Sequence, residues 1–379
     1  MVSKHFEQME LPDPELPDLD DVAMGEEEKK QPVAEEEDDK PEIQWSTKAL
    51  IETIDGESYL NKVLKIHSTI GSGAFSKVKR VTRHIEWDED GVHKEHTFDY
   101  ALKIFNKSAL EKKYVTDFLA EKPKTYLDNV YDEICLLAKL KHPNVARLYE
   151  VIDDEESNTL YTVNELCGLG QIMDWIPEKK EYKIGEKFYT EMKAQVEGVV
   201  TDPPISELET IALETFRQIA EGLKYLHVKK NIIHRDMKGE NLLAQKNEDG
   251  KVYVKIIDFS ISVEDTDQIF NDTAGTPEFL APETSNLDGY KGKPTDIWGY
   301  GLCLYAFVFK KFPFDDMEMG VEPEYKLEFP ADVTVSDELK DLIKSILEPD
   351  PEKRPTITDI LAHAWFKKFT LPEPPKVQL

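Results

Sequence analysis

Several side chains that can do chemistry lie close together in residues 234–241, which read HRDMKGEN. Asp236 is a carboxylate that can accept or orient the proton of a hydroxyl group. Lys238 can neutralise a phosphoryl group during its transfer, and Asn241 can hold a magnesium ion. A polar surface turn, the alternative interpretation, does not require these residue types at these spacings. The stretch therefore predicts phosphoryl transfer to a hydroxyl, and the lysine two places after the aspartate favours serine or threonine as the acceptor.

Asp258 is the second metal ligand that this reaction requires. It follows an apolar strand pattern at residues 252–257, and with Asn241 it forms an oxygen-rich set that suits a hard cation such as Mg2+. The next residues are Phe259 and Ser260, so a serine stands where the DFG motif has a glycine. Serine lacks the backbone freedom of glycine, whereas metal ligation needs only the aspartate.

A glycine-containing segment between two strand patterns is predicted to cradle the phosphates of ATP. Gly71 and Gly73 leave room for backbone amides to approach phosphate oxygens. A hairpin turn would also explain two glycines, and Ser76 replaces the third glycine of the GxGxxG pattern. The residues assigned to ATP in this segment are Ile70, Gly71, Ser72, Gly73, Ala74, Phe75, Ser76, Lys77 and Val78.

A lysine and a glutamate thirty residues apart are predicted to complete the nucleotide site. Lys103, in YALK, can reach the α and β phosphates if Glu133 holds its ammonium group in place. Two such charges are more often separate surface residues, and it is the surrounding motifs that favour the pair. The other nucleotide contacts are assigned to Val78 and Ala101, on either side of the adenine, and to Glu165, Cys167 and Leu243.

The segment 258–283, which ends in APE, is predicted to be an activation segment. Thr276, in GTPEF, is placed to line the acceptor site, and Glu240 lies beside the path of the substrate. Thr273 can carry a phosphate that pairs with Arg235, the residue directly before the catalytic aspartate.

Three further charged residues are given structural roles. Glu283 is expected to form a buried ion pair with Arg354, which lies in PEKRPT. Asp296, in DIWGYG, is expected to bind the backbone of the HRD stretch from a buried helix.

The elements that must position these residues fall into two groups. Short β-branched and aromatic runs up to residue 165 predict a small, mostly antiparallel sheet crossed by one long helix. Beyond residue 167 the apolar residues recur at a spacing near 3.6, which predicts helices. The fold class is therefore α+β, with a β-rich N-lobe and an α-helical C-lobe. The predicted strands are 63–70, 78–87, 97–105, 146–152 and 159–165, and the predicted helices are 131–140, 208–227, 296–309, 337–347 and 358–369.

The chain is divided into an acidic, mostly disordered tail at 1–58, a catalytic domain at 59–369 with its lobes meeting at 166 and 167, and a short tail at 370–379. Residues 1–44 contain 16 acidic and 4 basic residues, too polar a mixture to offset the entropy of ordering. A solvating tail and a docking or phosphorylated arm both remain open. The polar stretches 106–130 and 177–206 are expected to be functional loops or tolerated surface insertions.

Composition excludes several functional classes. The formal net charge of -29 argues against nucleic-acid binding, because phosphate contacts need lysine and arginine. The acidic N-terminus shows no signal sequence, and the longest apolar run, 298–309, is too short to span a membrane. The three cysteines, Cys135, Cys167 and Cys303, lack the spacing of a disulfide framework or a metal site, so a reducing, cytoplasmic location is expected.

From about residue 59 to 369 these motifs resemble a eukaryotic protein kinase. GSGAFS is similar to the calmodulin-dependent kinase group. The stretches 129–145, 272–283, 304–314 and 327–343 resemble the calcium/calmodulin-dependent protein kinase kinases and their fungal and plant relatives. The resemblance implies that ATP and Mg2+ are used to phosphorylate a protein substrate, namely activation-loop threonines on downstream kinases such as the AMP-activated kinase.

Three features differ from that family. KGEN replaces its KPSN at residues 238–241, the region 314–327 is short, and Asn164 takes the position of a bulky gatekeeper. The calmodulin-binding segment of the family lies beyond its catalytic domain. The present sequence ends ten residues after Phe369, which counts against calmodulin as a partner.

These patterns favour an active serine/threonine protein kinase that acts on another kinase, because every residue type that contacts phosphate or metal is present. Ser260 and Asn164 suggest the alternative, a pseudokinase or scaffold that binds nucleotide weakly. A small-molecule kinase fits poorly with the APE segment and Thr276.

Overall fold

The computed structural model describes residues 43–73, 76–89, 92–114, 124–286, 288–314 and 325–367. It confirms the predicted fold class, with a β-rich N-lobe followed by a larger helical C-lobe. Within these ranges no helix combines the length and the apolar character needed to cross a bilayer. Residues 1–42 of the acidic tail, residues 368–379, and Ala74 and Phe75 of the predicted phosphate cradle lie outside the described residues.

The N-lobe is an eight-stranded sheet with two helices. Its strands are β1 (Gln44–Ser46), β2 (Ile51–Ile54), β3 (Glu57–Leu60), β4 (Leu64–Ser72), β5 (Ser76–Glu89), β6 (Val92–Asn106), β7 (Leu148–Asp153) and β8 (Thr159–Glu165). Their order across the sheet is β1-β7-β8-β6-β5-β4-β3-β2, and β1 pairs with β7 in parallel. All five strands predicted for this lobe are present, and β6 begins five residues earlier than expected because its β-branched and aromatic residues pair along the full length of β5.

Two helices, α1 (Lys107–Glu111) and α2 (Tyr126–Leu137), lie between β6 and β7. The start of α2 is set by a capping box, in which the Thr125 hydroxyl accepts from the Asp128 amide at 3.2 Å and the Asp128 carboxylate accepts from the Thr125 amide at 2.7 Å. The cap explains why α2 begins five residues before the predicted start at 131. One face of α2 buries Val130, Glu133 and Ile134 towards the sheet.

The sheet extends upstream of residue 59, where the sequence places the start of the folded domain. Strands β1 and β2 and the first two residues of β3 lie within residues 1–58, the stretch assigned to a mostly disordered tail. The Glu57 carboxylate of β3 pairs with Lys65 at 2.6 Å, and the Ala49 amide donates to Asp154 at 3.1 Å. The acidic composition of this stretch did not predict these strands, because their carboxylates and backbone groups bind partners elsewhere in the lobe.

The C-lobe is mainly helical. Its strands are the short β9 (Gly170–Gln171), β10 (Met173–Ile176), β11 (Glu181–Ile184), β12 (Ile232–Ile233), β13 (Leu242–Lys246), β14 (Val252–Ile256) and β15 (Val263–Glu264). Its α-helices are α3 (Glu186–Gln195), α4 (Glu207–Lys224), α5 (Gly292–Phe309), α6 (Asp337–Ile346), α7 (Ile357–Leu361) and α8 (Ala364–Lys367). Helix α5 is buried over most of its length, as its apolar sequence predicts, and α4 packs beside it.

Two predictions for this lobe differ from the structure. The polar stretch 177–206 contains β11 and α3 rather than an irregular loop, because Phe188 and Met192 lie one helical turn apart and are both fully buried. The helix predicted for 358–369 is two short helices in its described part. The break lies at His363, whose Nδ1 accepts from the Trp365 amide at 3.2 Å while the Trp365 indole donates to the buried Glu209 at 3.0 Å.

Candidate active site

The carboxylate of Asp236 lies among four donors in the turn between β12 and β13. Its Oδ2 accepts from Lys238 Nζ at 2.7 Å and from Asn241 Nδ2 at 3.0 Å. Its Oδ1 accepts from the Thr276 amide at 3.1 Å and from the Thr276 hydroxyl at 2.7 Å. Lys238, Asn241 and Thr276, all named from the sequence, therefore contact the carboxylate of Asp236.

Asp296, on the buried helix α5, holds the backbone that carries this turn. Its Oδ2 accepts from the His234 amide at 2.8 Å and its Oδ1 from the Arg235 amide at 2.7 Å. The His227 ring lies 2.8 Å from the same Oδ2. The backbone contact predicted for Asp296 is confirmed. Arg235 adopts a left-handed backbone conformation with φ of 69°, which this pair of hydrogen bonds stabilises.

Thr276 connects the activation segment to the catalytic turn. Its hydroxyl donates to Asp236 and accepts from Lys238 Nζ at 2.7 Å, so one threonine hydroxyl contacts both groups. A substrate hydroxyl would need these two contacts during transfer. The geometry is therefore suited to a serine or threonine acceptor.

Lys103 and Glu133 form the predicted pair, with Nζ and Oε1 3.0 Å apart. Strand β6 supplies the lysine and the buried face of α2 supplies the glutamate. Burial opposes the charge on Lys103, but the carboxylates of Glu133 and Asp258 outweigh it and raise the pKa of Lys103. The ammonium group therefore stays charged, as contact with phosphates requires.

The residues present fit a bound Mg2+ ion. Asp258 follows β14, and its Oδ1 is buried without a hydrogen-bond partner. Burial opposes its charge, yet the nearby Lys103 outweighs burial and lowers the pKa of Asp258, which leaves an anionic oxygen free to bind a cation. Asn241 donates through Nδ2 to the Asp236 carbonyl at 2.8 Å and to the Asp236 carboxylate at 3.0 Å, so its amide oxygen is the atom left for a metal.

Asp258 has a left-handed backbone conformation, with φ of 63°. Aspartate tolerates this region better than most residues, because its short side chain can hydrogen-bond locally. Ser260 is exposed, and its polar groups help Lys103 to lower the pKa of Asp258. The serine that replaces the usual glycine therefore acts in favour of the metal ligand.

The glycine-containing segment lies at the ends of β4 and β5. Gly71 pairs with Val78 and Ser72 with Lys77, while the Gly73 amide donates to the Ser76 carbonyl at 2.9 Å. A Cβ added at Gly71 would lie 3.7 Å from Val78, which is an ordinary contact. No described neighbour therefore requires glycine at residue 71, where the pairing of β4 with β5 shifts register, and the predicted role of Gly71 beside the phosphates stays a prediction. Ile70 is an exposed apolar side chain at the same edge.

The residues assigned to adenine come from both lobes. Val78 and Ala101 lie on neighbouring strands of the N-lobe sheet, and Leu243 lies on β13 of the C-lobe. All three are half-buried apolar side chains. Glu165 ends β8, and Cys167 lies in the link between the lobes, where burial raises the pKa of its thiol to about 12. A protonated thiol is not a nucleophile, and the assignment of Cys167 to the nucleotide stays a prediction.

The side chain of Glu165 is occupied by other groups. Its Oε1 pairs with Lys255 at 2.7 Å and also binds Gln245, and its Oε2 accepts from the Arg147 amide at 3.1 Å. The assignment of Glu165 to the nucleotide therefore stays a prediction, and it concerns the backbone of Glu165 rather than its side chain. Asn164, one residue earlier, donates its side-chain amide to the carbonyl and hydroxyl of Thr162 at 3.1 and 2.8 Å.

The structure places an acidic partner beside Arg235 that sequence reasoning did not name. The guanidinium binds the Asp272 carboxylate and the Tyr290 hydroxyl, and Thr273 is exposed. Asp272 stands directly before Thr273, so its position in NDTAGT was the available signal. Glu240 is exposed within the catalytic turn, and its assignment to the substrate path stays a prediction.

The ion pair predicted for Glu283 and Arg354 is confirmed. Arg354 donates through both terminal nitrogens to the two Glu283 oxygens, at 2.6 and 3.0 Å, and both side chains are almost fully buried. The pair joins the end of the activation segment to the turn before α7.

The contact between Lys103 and Glu133 leads to a testable expectation. Lys103→Met and Glu133→Gln are each expected to lower kcat/KM by about 10- to 100-fold, because each removes a charge-assisted contact at the phosphates. The double variant should lose little more than Lys103→Met alone, since both residues act through the same ammonium group. Steady-state kinetics on the four proteins measure this coupling.

The matched control is the ion pair of Lys107 and Asp153, also 3.0 Å apart and in the same lobe. Lys107→Met should leave kcat/KM within about twofold of the wild type, as expected for a residue outside the site. Fully additive losses for Lys103→Met and Glu133→Gln would contradict the predicted coupling.

Comparison with known proteins agrees with this geometry. Residues 64–366 match the family model described as a protein kinase domain. The chain is 32% identical over 331 residues to a calcium/calmodulin-dependent protein kinase kinase of Caenorhabditis elegans, covering 82% of this chain and 53% of the relative. It is 32% identical over 324 residues to a probable serine/threonine-protein kinase of Dictyostelium discoideum, covering 82% and 39% respectively.

A CBL-interacting protein kinase of Oryza sativa is 31% identical over 319 residues, covering 82% of this chain and 57% of the relative. The chain thus spans between about two fifths and three fifths of the length of these relatives. The family match covers strands β4 to β8 of the sheet, the catalytic turn and the activation segment. The chain therefore belongs to the protein kinase family, and within it to the serine/threonine kinases that resemble the calmodulin-dependent kinases.

Proposed function

We propose that this protein transfers the γ-phosphoryl group of Mg-ATP to serine or threonine hydroxyls of protein substrates. The observation that supports this function most directly is the position of the Thr276 hydroxyl, 2.7 Å from both Asp236 Oδ1 and Lys238 Nζ. These two groups already bind one threonine hydroxyl in the way that a substrate hydroxyl would be bound. Serine/threonine selectivity follows from the same geometry.

In the proposed reaction, the oxygen of the substrate hydroxyl forms a bond to the γ-phosphorus while the bond from that phosphorus to the bridging oxygen of ADP breaks. Asp236 orients the hydroxyl and accepts its proton. Lys238 neutralises negative charge on the transferring group, and Lys103, held by Glu133, binds the α and β phosphates. The products are ADP and a phosphorylated side chain.

Asp258 and Asn241 are the residues that would hold magnesium. When bound, the ion neutralises the phosphate oxygens and shields the leaving group. Lys103 also stabilises the anionic form of Asp258, so the carboxylate is charged before the nucleotide arrives. This preorganisation avoids a proton loss when metal and nucleotide bind.

The transfer reaction is tested with purified full-length protein, γ-labelled ATP and a generic basic protein. We expect label in the substrate on serine and threonine and none on tyrosine. Absence of transfer, with Asp236→Asn giving the same blank, would exclude the proposed activity. It would favour the alternative of a pseudokinase, which no contact in the described site supports.

Asp258→Asn tests the proposed metal ligand. Asparagine keeps the shape of the side chain but removes the charge that a hard cation requires, so the Mg2+-dependent part of ATP binding is expected to fall by at least about tenfold. The measurement is the ATP-induced thermal shift at a series of Mg2+ concentrations. Asp267→Asn, at an exposed acid of the same segment, should behave as the wild type. Equal Mg2+ dependence in all three proteins would rule out Asp258 as a ligand.

We further propose that the substrates include other kinases. The support is the printed name of one relative, a protein kinase kinase, together with the sequence resemblance to that group. Glu240 and Glu278 add charge to the substrate path: both are exposed, and both act electrostatically on the buried Tyr182. Basic residues near the acceptor are therefore expected in a substrate.

A panel of catalytically inactive kinases with intact activation loops, read by mass spectrometry, separates a kinase kinase from a general protein kinase. Selective phosphate on activation-loop threonines supports the proposal, and uniform labelling of unrelated proteins counts against it.

The three free cysteines, Cys135, Cys167 and Cys303, support the accompanying proposal of a reducing, cytoplasmic location.

A further inference from the structure

Arg235 lies directly before the catalytic Asp236, and its guanidinium forms an ion pair with a residue of the activation segment. The Arg235 side chain is only 8% exposed, and its guanidinium binds the Asp272 carboxylate. The Tyr290 hydroxyl lies 3.3 Å from the same nitrogen and donates to Asp272 at 3.0 Å. The guanidinium also lies over the Phe270 ring, 4.5 Å from its centroid. Burial opposes the charge, but the bonds to Asp272 and Tyr290 outweigh it and raise the pKa of Arg235.

The turn after Asp272 rests directly on the backbone of Arg235. Gly275 has φ of 121°, and a Cβ added there would lie 2.8 Å from the Arg235 carbonyl oxygen. Glycine is therefore needed for this close approach. The next residue is Thr276, whose amide and hydroxyl bind the Asp236 carboxylate. The anchor at Asp272 thus helps set where Thr276 meets the catalytic group.

Two other acids of the segment bind cations from separate parts of the fold. Glu264 pairs with Lys139, just after α2, at 2.7 Å, and Asp265 pairs with Lys293 of α5 at 2.9 Å. Together with Asp272 they connect the segment to the N-lobe helix, the C-lobe core and the catalytic turn. Surface pairs such as Glu264 with Lys139 contribute little individually. The contact between Asp272 and Arg235 differs because one partner, the Arg235 side chain, is only 8% exposed, while Asp272 is 56% exposed.

A phosphate on Thr273 would enter a site in which Nη2 of Arg235 already binds Asp272, while Nε of the same guanidinium is buried without a hydrogen-bond partner. Thr273 is exposed and directly follows Asp272. Its phosphate would bring a charge of about -1.5 to -2 next to the Asp272 carboxylate and compete with it for the same guanidinium. The phosphate would therefore add repulsion while replacing a contact that already exists.

We propose that Asp272 is a positioning residue for phosphoryl transfer: its carboxylate holds Arg235, and with it the 272–276 turn, against Asp236. Asp272 performs the task that the sequence assigned to a phosphate on Thr273. This inference rests on the proposed kinase function. The negative charge that binds Arg235 is thus carried by a residue of the chain, Asp272, which directly precedes Thr273.

The test uses the full chain and the substitution Asp272→Asn, which keeps the shape of the side chain and removes its charge. We expect kcat for a protein substrate to fall by about tenfold, because a charge-assisted bond to a buried cation is lost. The KM for ATP and the Mg-ATP thermal shift should stay within about twofold of the wild type, since the nucleotide contacts are unchanged. Asp272→Glu should recover most of the lost kcat.

Thr273→Ala is expected to keep kcat within about twofold of the wild type, and Asp267→Asn serves as the matched control on the same segment. If Asp272→Asn fails to fold, Tyr290→Phe replaces it, with a smaller loss in kcat expected because only the phenol contact is removed. Wild-type kcat in Asp272→Asn overturns the proposal. A tenfold loss in Thr273→Ala, with mass spectrometry finding phosphate on Thr273 in the wild type, also overturns it. A wild type without any transfer activity contradicts the proposed function instead.

Discussion

Asp236→Asn is expected to lower kcat by about 10²- to 10⁴-fold while leaving the binding of Mg-ATP nearly unchanged. The amide keeps the size of the carboxylate but cannot accept the substrate proton, and it loses the attraction to Lys238 and to the Thr276 hydroxyl. The nucleotide contacts proposed for Lys103 and the glycine-containing segment do not involve this side chain. Transfer from γ-labelled ATP measures the loss, and an ATP-induced thermal shift measures the retained binding.

Asp249→Asn is the matched control, because it makes the same chemical change at an exposed turn between β13 and β14. It should retain the activity of the wild type. Substantial transfer by Asp236→Asn, with the control unaffected, would assign the proton acceptor to another group.

Arg354→Met is expected to lower the free energy of unfolding by about 3–5 kcal/mol, because it leaves the Glu283 carboxylate buried without its partner. Arg354 also donates to the Pro294 carbonyl at 2.7 Å and to the Glu348 carbonyl at 3.0 and 3.1 Å, so several acceptors lose a donor together. Urea unfolding monitored by tryptophan fluorescence measures the change. Methionine retains much of the apolar contact with Trp298, which lies beneath the guanidinium.

The neighbouring Lys353→Met provides a control, since Lys353 forms an exposed pair with Asp350 at 2.9 Å. Its unfolding midpoint should be close to that of the wild type. The double substitution Glu283→Met and Arg354→Met is expected to recover part of the loss, because it removes the orphaned charge. An unfolding midpoint for Arg354→Met equal to that of the wild type would show that the pair does not stabilise the fold.

Local sequence patterns were sufficient for much of the fold because each depends on neighbours along the chain. Strand β8 begins and ends at the predicted residues 159 and 165, and α5 ends at the predicted Phe309. The boundaries that differed depend on contacts that a local pattern does not contain. The capping box at Thr125 moved the start of α2, and the hydrogen bond from Trp365 to Glu209 spans 156 residues.

The residues of the candidate site also fall into two groups, those that local sequence patterns identified and those whose contacts only the folded structure shows. Residue type and spacing within 234–241 were enough to name Asp236, Lys238 and Asn241, since their chemistry is local. The pairing of Lys103 with Glu133 was predicted from known motif order, and the 3.0 Å contact forms only because α2 packs on the sheet. Asp272 was not predicted as a partner of Arg235, because Asp272 and Thr273 are neighbours in the sequence and only the folded path of the activation segment decides which side chain reaches the guanidinium.

The amino-acid sequence by itself determined the reaction class, the acceptor class and the bilobal α+β fold, because these depend on the residue types present and on short-range periodicity. Tertiary structure alone decided which charges meet. It brought Thr276 to Asp236, left Asp258 Oδ1 buried without a hydrogen-bond partner, and placed Asp272 against Arg235. The physical reason is that charge pairing depends on distance and burial in space, which residues far apart in sequence acquire only when the two lobes fold.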